Sequence, residues 1–477
     1  MNNHDKTPSG TAAQPAAPSN NGAASASAAP QPTLQLTPLH AAIPAQGGTV
    51  EVLVRVQAPA QPAHEQGAGG PRARIPLRLA LVVDRSGSMS GAPLDEALRC
   101  VQHIGERLHP ADELAVVLYD HDVQLPLPLA RAPGARVVAQ ALAGVESGGS
   151  TNLFAGWEAG AGQLRDGASA AGGAISRVVL LSDGQANQGW TDPAVIAEHC
   201  RQWLACGVST TTVGLGRGFN EELMQAMASA GGGQQYYGQR AQDLFDAFDE
   251  ELALLQAMRL RQLRVRPVAS RGVIVEPLGR SGLVSNPDGW LGLPDLAWAA
   301  EAWTLLRLHV PAQALAGIRP GAPFTALALT LQGVDADGVQ HTWHAAPLAL
   351  PVMPLSDLAG VPADETVARR LQEIAFAELN LQVRELLQQG RRAQAQAALA
   401  RAKARYASHP WLAGKLERLV ELAAQDVEMA RKEMLYASGR IRGRLVAQFE
   451  SAALDMTEDT PKYLRRKAVE GQGHATG

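Results

Sequence analysis

Between Leu81 and Ser90 the chain reads LVVDRSGSMS: three apolar residues, one carboxylate, then hydroxyls at every second position around Gly87. Taken singly, Asp84, Ser86 or Ser88 would serve as a helix cap or a turn residue. Taken together with oxygen donors from elsewhere, they could surround a hard cation. Two later stretches offer such donors, GGSTNL with Thr151 and LLSDGQAN with Asp183. Whether these segments meet depends on the elements that carry them.

Those elements read as strands and helices in alternation. LRLALVVD, LAVVLYD, VQLPLPL, RVVLLSD and STTTVGLG are short apolar runs that predict strands. Between them, Leu94, Ala97, Leu98, Val101, Ile104 and Leu108 recur at helical spacing behind Pro93, and ARVVAQALAGV and DPAVIAEHCRQWLAC are also helical. NEELMQAMASAGGG and AQDLFDAFDEELALLQAM close the series as helices. Such alternation predicts an α/β fold with a doubly wound, mostly parallel sheet, whose ligands bind outside the carboxyl ends of the strands. Both VVD and LLSD deliver an aspartate to such an end.

The flanks differ. TVEVLVRV places Val50, Val52, Val54 and Val56 on one face of a strand without a helical neighbour. After Met258 strands return in LRVRPV, GVIVEPL, WTLLRLHV, FTALALTLQG and VQHTWHAAPLAL, with DADG as a hairpin turn. Pairing the early strand with these gives a β-sandwich into which the α/β part is inserted. From Pro362 to about Phe449 an Ala-, Leu-, Arg- and Glu-rich pattern predicts about three helices, broken near Gly390 and at ASHP. LLQQGRRAQAQAALARAKARYASHP looks like one tetratricopeptide-type helix pair. The expected organisation is 1–32 an Ala/Pro/Ser-rich disordered tail, 33–74 sandwich strands, 75–258 the α/β domain, 259–356 the rest of the sandwich, 360–450 a helical module, and 451–477 a disordered tail.

The order and context of DRSGSMS, GGSTNL and LLSDGQAN resemble the von Willebrand factor A domain over about Leu77 to Met258. TVGLGRGFNEELMQAMASAGGGQQYY is similar to that domain's closing part. With its sandwich flanks, the chain is similar to bacterial von Willebrand A proteins related to inter-alpha-trypsin inhibitor heavy chains. The resemblance implies that Asp84, Ser86, Ser88, Thr151 and Asp183 form a metal-ion-dependent adhesion site holding Mg2+, or Mn2+ or Ca2+. The chemistry agrees. Magnesium takes about six oxygen ligands and keeps waters readily; neutral hydroxyls leave its charge unquenched, while two aspartates balance it. The resemblance further implies a protein partner that presents an acidic residue to the open coordination place. The expected function is therefore a divalent-cation-dependent interaction scaffold and not an enzyme. One alternative is a subunit serving an AAA+ ATPase, which would be a separate chain because no P-loop is present; another is a metal-dependent hydrolase, for which no general base is evident.

Composition narrows the remaining classes. The 477 residues carry a net charge of −4, 46% hydrophobic and 18% charged residues, which gives no whole-chain reason to expect nucleic acid or an anionic membrane. No run of about eighteen apolar residues predicts a membrane span, and the N-terminus lacks a secretory signal pattern. Three cysteines, Cys100, Cys200 and Cys206, make no disulfide framework, so a cytoplasmic bacterial protein is expected. His199, Cys200 and Cys206 in HCRQWLAC read as core rather than zinc ligands. VGLGRG comes too late in the α/β series for a dinucleotide loop. Asp120, His121 and Asp122, at another strand end, read as a solvated loop with lining of the metal face as the functional alternative; Arg85 reads as pointing to solvent or a carboxylate, and Trp157 and Trp190 as packing residues with a partner rim as the functional alternative. Arg440, Arg442 and Arg444 read as a solvated basic face. TPKYLRRKAVEG loosely resembles the terminal docking peptide of bacterial tubulin-like division proteins.

Overall fold

The computed structural model of the protein describes residues 31–60, 74–165, 173–238, 240–279, 288–443 and 445–447. The expectations for both tails, including the docking peptide, lie outside the described residues, as do the side chains of Arg440, Arg442 and Arg444. The chain begins with β1 (Thr33–Pro38), β2 (Ile43–Pro44) and β3 (Gly47–Gln57). Alternation along β3 buries Val50, Val52, Val54 and Val56 together, as a strand with one face on a core requires.

The α/β part runs β4 (Leu77–Asp84), α1 (Ala92–Arg107), β5 (Glu113–Tyr119), β6 (Val123–Arg131), α2 (Ala135–Ala141), α3 (Leu153–Gln163), β7 (Ile175–Ser182), α4 (Pro193–Ala205), β8 (Val208–Leu215), α5 (Glu221–Ala230), β9 (Gly232–Gly238) and α6 (Asp243–Gln256). Its sheet has the order β6-β5-β4-β7-β8-β9. All neighbours are parallel except β6, which runs antiparallel to β5. Leu79, Leu81 and Val83 share a core with Val101 and Ile104 of α1 and Phe248 and Leu252 of α6. Ala80 and Val82 face the opposite side, against Trp157 of α3 and Met224 and Met227 of α5. Because both faces are covered, the central strands are buried along their length, and only their ends remain for chemistry.

The chain then returns to antiparallel strands: β10 (Met258–Ala269), β11 (Ile274–Pro277), the short β12 (Leu291–Gly292) and β13 (Leu296–Ala297), β14 (Ala300–Pro311), β15 (Pro323–Val334), β16 (Gln340–His344) and β17 (Leu348–Met353). They complete two sheets, β1-β3-β14-β11 and β12-β10-β15-β17-β2, with β13 on β10, β16 on β15, and β18 (Leu445–Ala447) on β14. The early strand does pair with a late one, from Gln57 opposite Glu301 to Gly47 opposite Pro311. Val54, Val56, Leu306 and Leu308 from one sheet meet Val265, Leu329 and Leu331 from the other in one core. The α/β part leaves this sandwich after β3 and re-enters it at β10.

Helices α7 (Leu355–Leu358), α8 (Glu365–Gln388), α9 (Arg392–Tyr406), α10 (Pro410–Gln425) and α11 (Val427–Gly443) follow. The breaks near Gly390 and at Ala407–His409 fall where the sequence places them. A further break at Asp426 makes four long helices instead of three. The Asp426 carboxylate accepts the backbone N–H of Met429 at 3.1 Å, so a cap with no Gly or Pro signal ends one helix and starts the next.

Candidate metal centre

β4 and β7 lie side by side, so Asp84 at the end of one and Asp183 just beyond the other emerge at the same edge. Asp84 is fully buried. Its Oδ1 accepts the backbone N–H of Ser86 at 2.8 Å and its Oδ2 accepts the hydroxyl of Ser182 at 2.7 Å. A single 3-10 turn, Gly87–Met89, then brings the next hydroxyls round. Ser86 Oγ lies 3.2 Å from Ser88 Oγ, and Ser88 Oγ donates to Asp183 Oδ1 at 2.6 Å.

Thr151 reaches the same place from the loop before α3. That loop is tied to the first by Gly87 N–H to Gly149 O (3.1 Å) and Gly148 N–H to Arg85 O (2.7 Å). It is tied to the Asp183 loop by Thr151 N–H to Asn187 Oδ1 (2.8 Å) and by Asn187 N–H to Thr151 O (3.1 Å). A Cβ built on Gly184 would stand 3.2 Å from Ser88 Oγ, 3.6 Å from Thr151 Oγ1 and 4.0 Å from Ser86 Oγ, so the three hydroxyls face one point. The structure thus brings all five expected residues together. Asp84, Ser86 and Thr151 form the buried floor, while Ser88 is exposed and Asp183 half-buried.

The electrostatics have one sign. Burial, partly offset by hydrogen bonds from Ser86, Ser182 and Tyr119, holds the Asp84 carboxyl above the usual aspartate range. Asp183 is raised as well, by burial first and by the neighbouring Asp84 charge. No ion pair among the described residues involves either carboxylate. Among the described residues no group of three or more His, Cys, Asp or Glu is placed to hold a metal ion, so a cation here would rest on the two carboxylates together with the hydroxyls. Two uncompensated carboxylates and three hydroxyls, all oxygen, fit a hard divalent cation.

Around this centre some expectations change. In the loop after β5 only Asp120 departs from the solvated reading: it is 1% exposed and paired with Arg85 at 3.0 Å, whose guanidinium offsets the cost of that burial. His121 is half-exposed between Asp120 and Asp122, 3.2 Å from each. Trp157 is core, donating its N–H to Thr210 Oγ1 at 3.1 Å. Trp190 is 49% exposed and stacks on Phe154 at 5.0 Å and against His199 at 4.8 Å. Cys200 is fully buried, its thiol pushed up to about 12 by burial, whereas Cys206 is exposed. Gly214 and Gly218 of VGLGRG serve contact with the chain itself, since a Cβ would stand 2.5 Å from the Phe219 ring at the first and 2.7 Å from Asp183 O at the second, while Gly216 takes a positive φ of 70°. Ser182 and Gly184 went unnoticed in the sequence although both adjoin Asp183.

Residues 79–250 match the family model of the von Willebrand factor type A domain. Among curated proteins, the uncharacterized protein YfbK of Escherichia coli is 31% identical over 164 residues, 33% of this chain and 28% of that one. Human inter-alpha-trypsin inhibitor heavy chain H3 is 28% identical over 188 residues, 38% of this chain and 21% of that one. The chain spans 40% or less of the length of the curated relatives it matches. Among solved structures, a von Willebrand factor type A protein from Catenulispora acidiphila superposes with a TM-score of 0.66 at 18% identity, covering 84% of this chain and 91% of that one. That likeness extends beyond the α/β part and concerns the fold alone. No helix among the described residues is long and apolar enough to cross a membrane.

Proposed function

We propose that the chain is a divalent-cation-dependent protein-interaction scaffold that holds a partner's carboxylate at the centre formed by Asp84, Ser86, Ser88, Thr151 and Asp183. The observation that carries this reading is the convergence of three hydroxyls and two carboxylates that lack a basic partner. A bound dication, Mg2+ or Mn2+ or Ca2+, would supply an electrophilic place for an incoming oxygen. Asp84 and Asp183 balance charge; Ser86, Ser88 and Thr151 donate oxygen without quenching it. The exposed side, at Ser88 and Asp183, is where a partner would enter. Trp190 offers that partner an apolar surface on the loop whose Asn187 and Gln188 bond Thr151.

The reading is tested by affinity capture from the cells that make the protein, with magnesium or with chelator, scored for recovered proteins by mass spectrometry. Capture that needs magnesium and vanishes in Asp84→Ala and Ser88→Ala, with unchanged circular dichroism, is the expected result. Partners retained equally in chelator and in both variants would refute it.

A further inference from the structure

The contact between α11 and the α/β part centres on one buried cation. Lys432 is 3% exposed, and its Nζ donates to two backbone carbonyls, Arg217 O and, at 3.2 Å, Phe219 O. Those carbonyls flank Gly218 in the loop between β8 and α5. Gly218 lies flat on Asp183: a side chain there would stand 2.7 Å from the Asp183 carbonyl, and Gly218 O accepts Gln185 Nε2 at 2.6 Å. The same loop is held further at the start of α11. The Arg217 guanidinium pairs with Asp426 at 3.0 Å, and the Lys432 ammonium sits 4.3 Å from the centre of the Phe219 ring. Glu221 and Glu428 stand 4.0 and 3.9 Å from Nζ, so the buried charge is partly matched. A buried ammonium spending its protons on main-chain carbonyls fixes backbone and not a side chain.

Resting on the metal reading above, we propose that α11 is a brace for the metal centre: Lys432, by holding the carbonyls of Arg217 and Phe219, seats Gly218 against Asp183 and sets that carboxylate's position. Lys432 is thus a positioning residue that belongs to a different module from every donor of the site. The docking state of the helical module and the cation affinity of the α/β part are then coupled through one loop, and each biases the other.

The test uses the full chain in four forms: wild type, Lys432→Met, Gly218→Ala and Arg384→Met. The last removes the ion pairs of Arg384 with Glu221 and Glu222, which dock the same helical module without touching residues 216–219. Two quantities are read: magnesium affinity by calorimetry, and amide hydrogen exchange of residues 183–188 and 216–220 in chelator. Lys432→Met should weaken magnesium binding about tenfold, the size of coupling a single packed contact can carry. It should also speed exchange in both segments. Gly218→Ala, which presses on Asp183 from the other side, should weaken binding too, and carries the test if Lys432→Met fails to fold. Arg384→Met should leave affinity within about twofold.

Unchanged affinity and unchanged exchange at 183–188 in Lys432→Met would overturn the brace while leaving the metal reading intact. Equal losses in Arg384→Met would overturn it too, as general loosening. A wild type that takes up no magnesium, yet shows faster exchange at 183–188 on losing Lys432, would sink the metal reading and leave the brace standing.

Discussion

Asp84 and Asp183 are dehydrated by the fold without being given a base, and that has a measurable cost in the metal-free chain. Burial raises both carboxyls. A carboxyl whose pKa is higher in the folded than in the unfolded chain contributes stability that is present below the unfolded value and lost as pH rises through the folded one. At neutral pH these two groups therefore oppose folding, and the proposed cation would relieve that opposition. In chelator, Asp183→Asn should melt at a higher temperature than wild type, and the gap should close on acidification as Asp183 takes up its proton. With magnesium at ~100 times its dissociation constant the wild type should gain about 2.7 kcal/mol, and the variant little. Thermal scans in chelator and in magnesium check this. A lower melting temperature for Asp183→Asn in chelator would mean that its carboxylate is already compensated.

At the scale of elements, α3 decides where Thr151 sits, since the helix starts at Leu153 with Asn152 as its cap. It lies unusually close to the sheet because Gly160 faces Val82, whose Cγ2 a Cβ on Gly160 would overlap. Gly160→Val should cost about 3 kcal/mol by overpacking. It should also weaken cation binding, because α3 must lift and carry Thr151 with it; urea unfolding and calorimetry read the two effects. Unaltered stability would show that the close approach is not needed. The same packing explains why LFAGWEAGAGQ did not read as a helix: glycines stand where a helical apolar stripe would carry large residues. β9 escaped for a related reason, because GGQQYYG offers little apolar alternation and its register comes from pairing with β8. The five residues that meet at the centre were legible since each sits within a residue or two of a recognisable strand or turn. Lys432 was not, being 215 residues from Arg217, and a helical lysine ordinarily signals solvent.

For the molecule as a whole, α8 joins the parts. Its 24 residues span about 36 Å. The first half lays Val367 and Ile374 on Leu53, Trp303 and Leu305, on the β3–β14 face turned away from the sandwich core. The last turns bring Arg384 to Glu221 and Glu222 of α5. At the sandwich end Arg370, 5% exposed, stacks over Trp303 at 4.8 Å and pairs with Glu373 at 2.8 Å and Glu301 at 3.7 Å. Glu301 is also held by Arg55, and Glu373, 2% exposed, also lies 3.9 Å from His409 Nε2. Arg370→Ala should therefore cost about 3 kcal/mol, mostly as the burden of a buried carboxylate left without its guanidinium. Arg370→Ala with Glu373→Ala should cost less than the sum of the two single changes. Because α8 spans sandwich and α/β part alike, the loss should appear in one transition, with tryptophan fluorescence and far-ultraviolet circular dichroism coinciding along a urea titration. If the helical signal of Arg370→Ala were lost well before the fluorescence changed, the helices would be an independent appendage, and α8 would not be the member that ties the fold together.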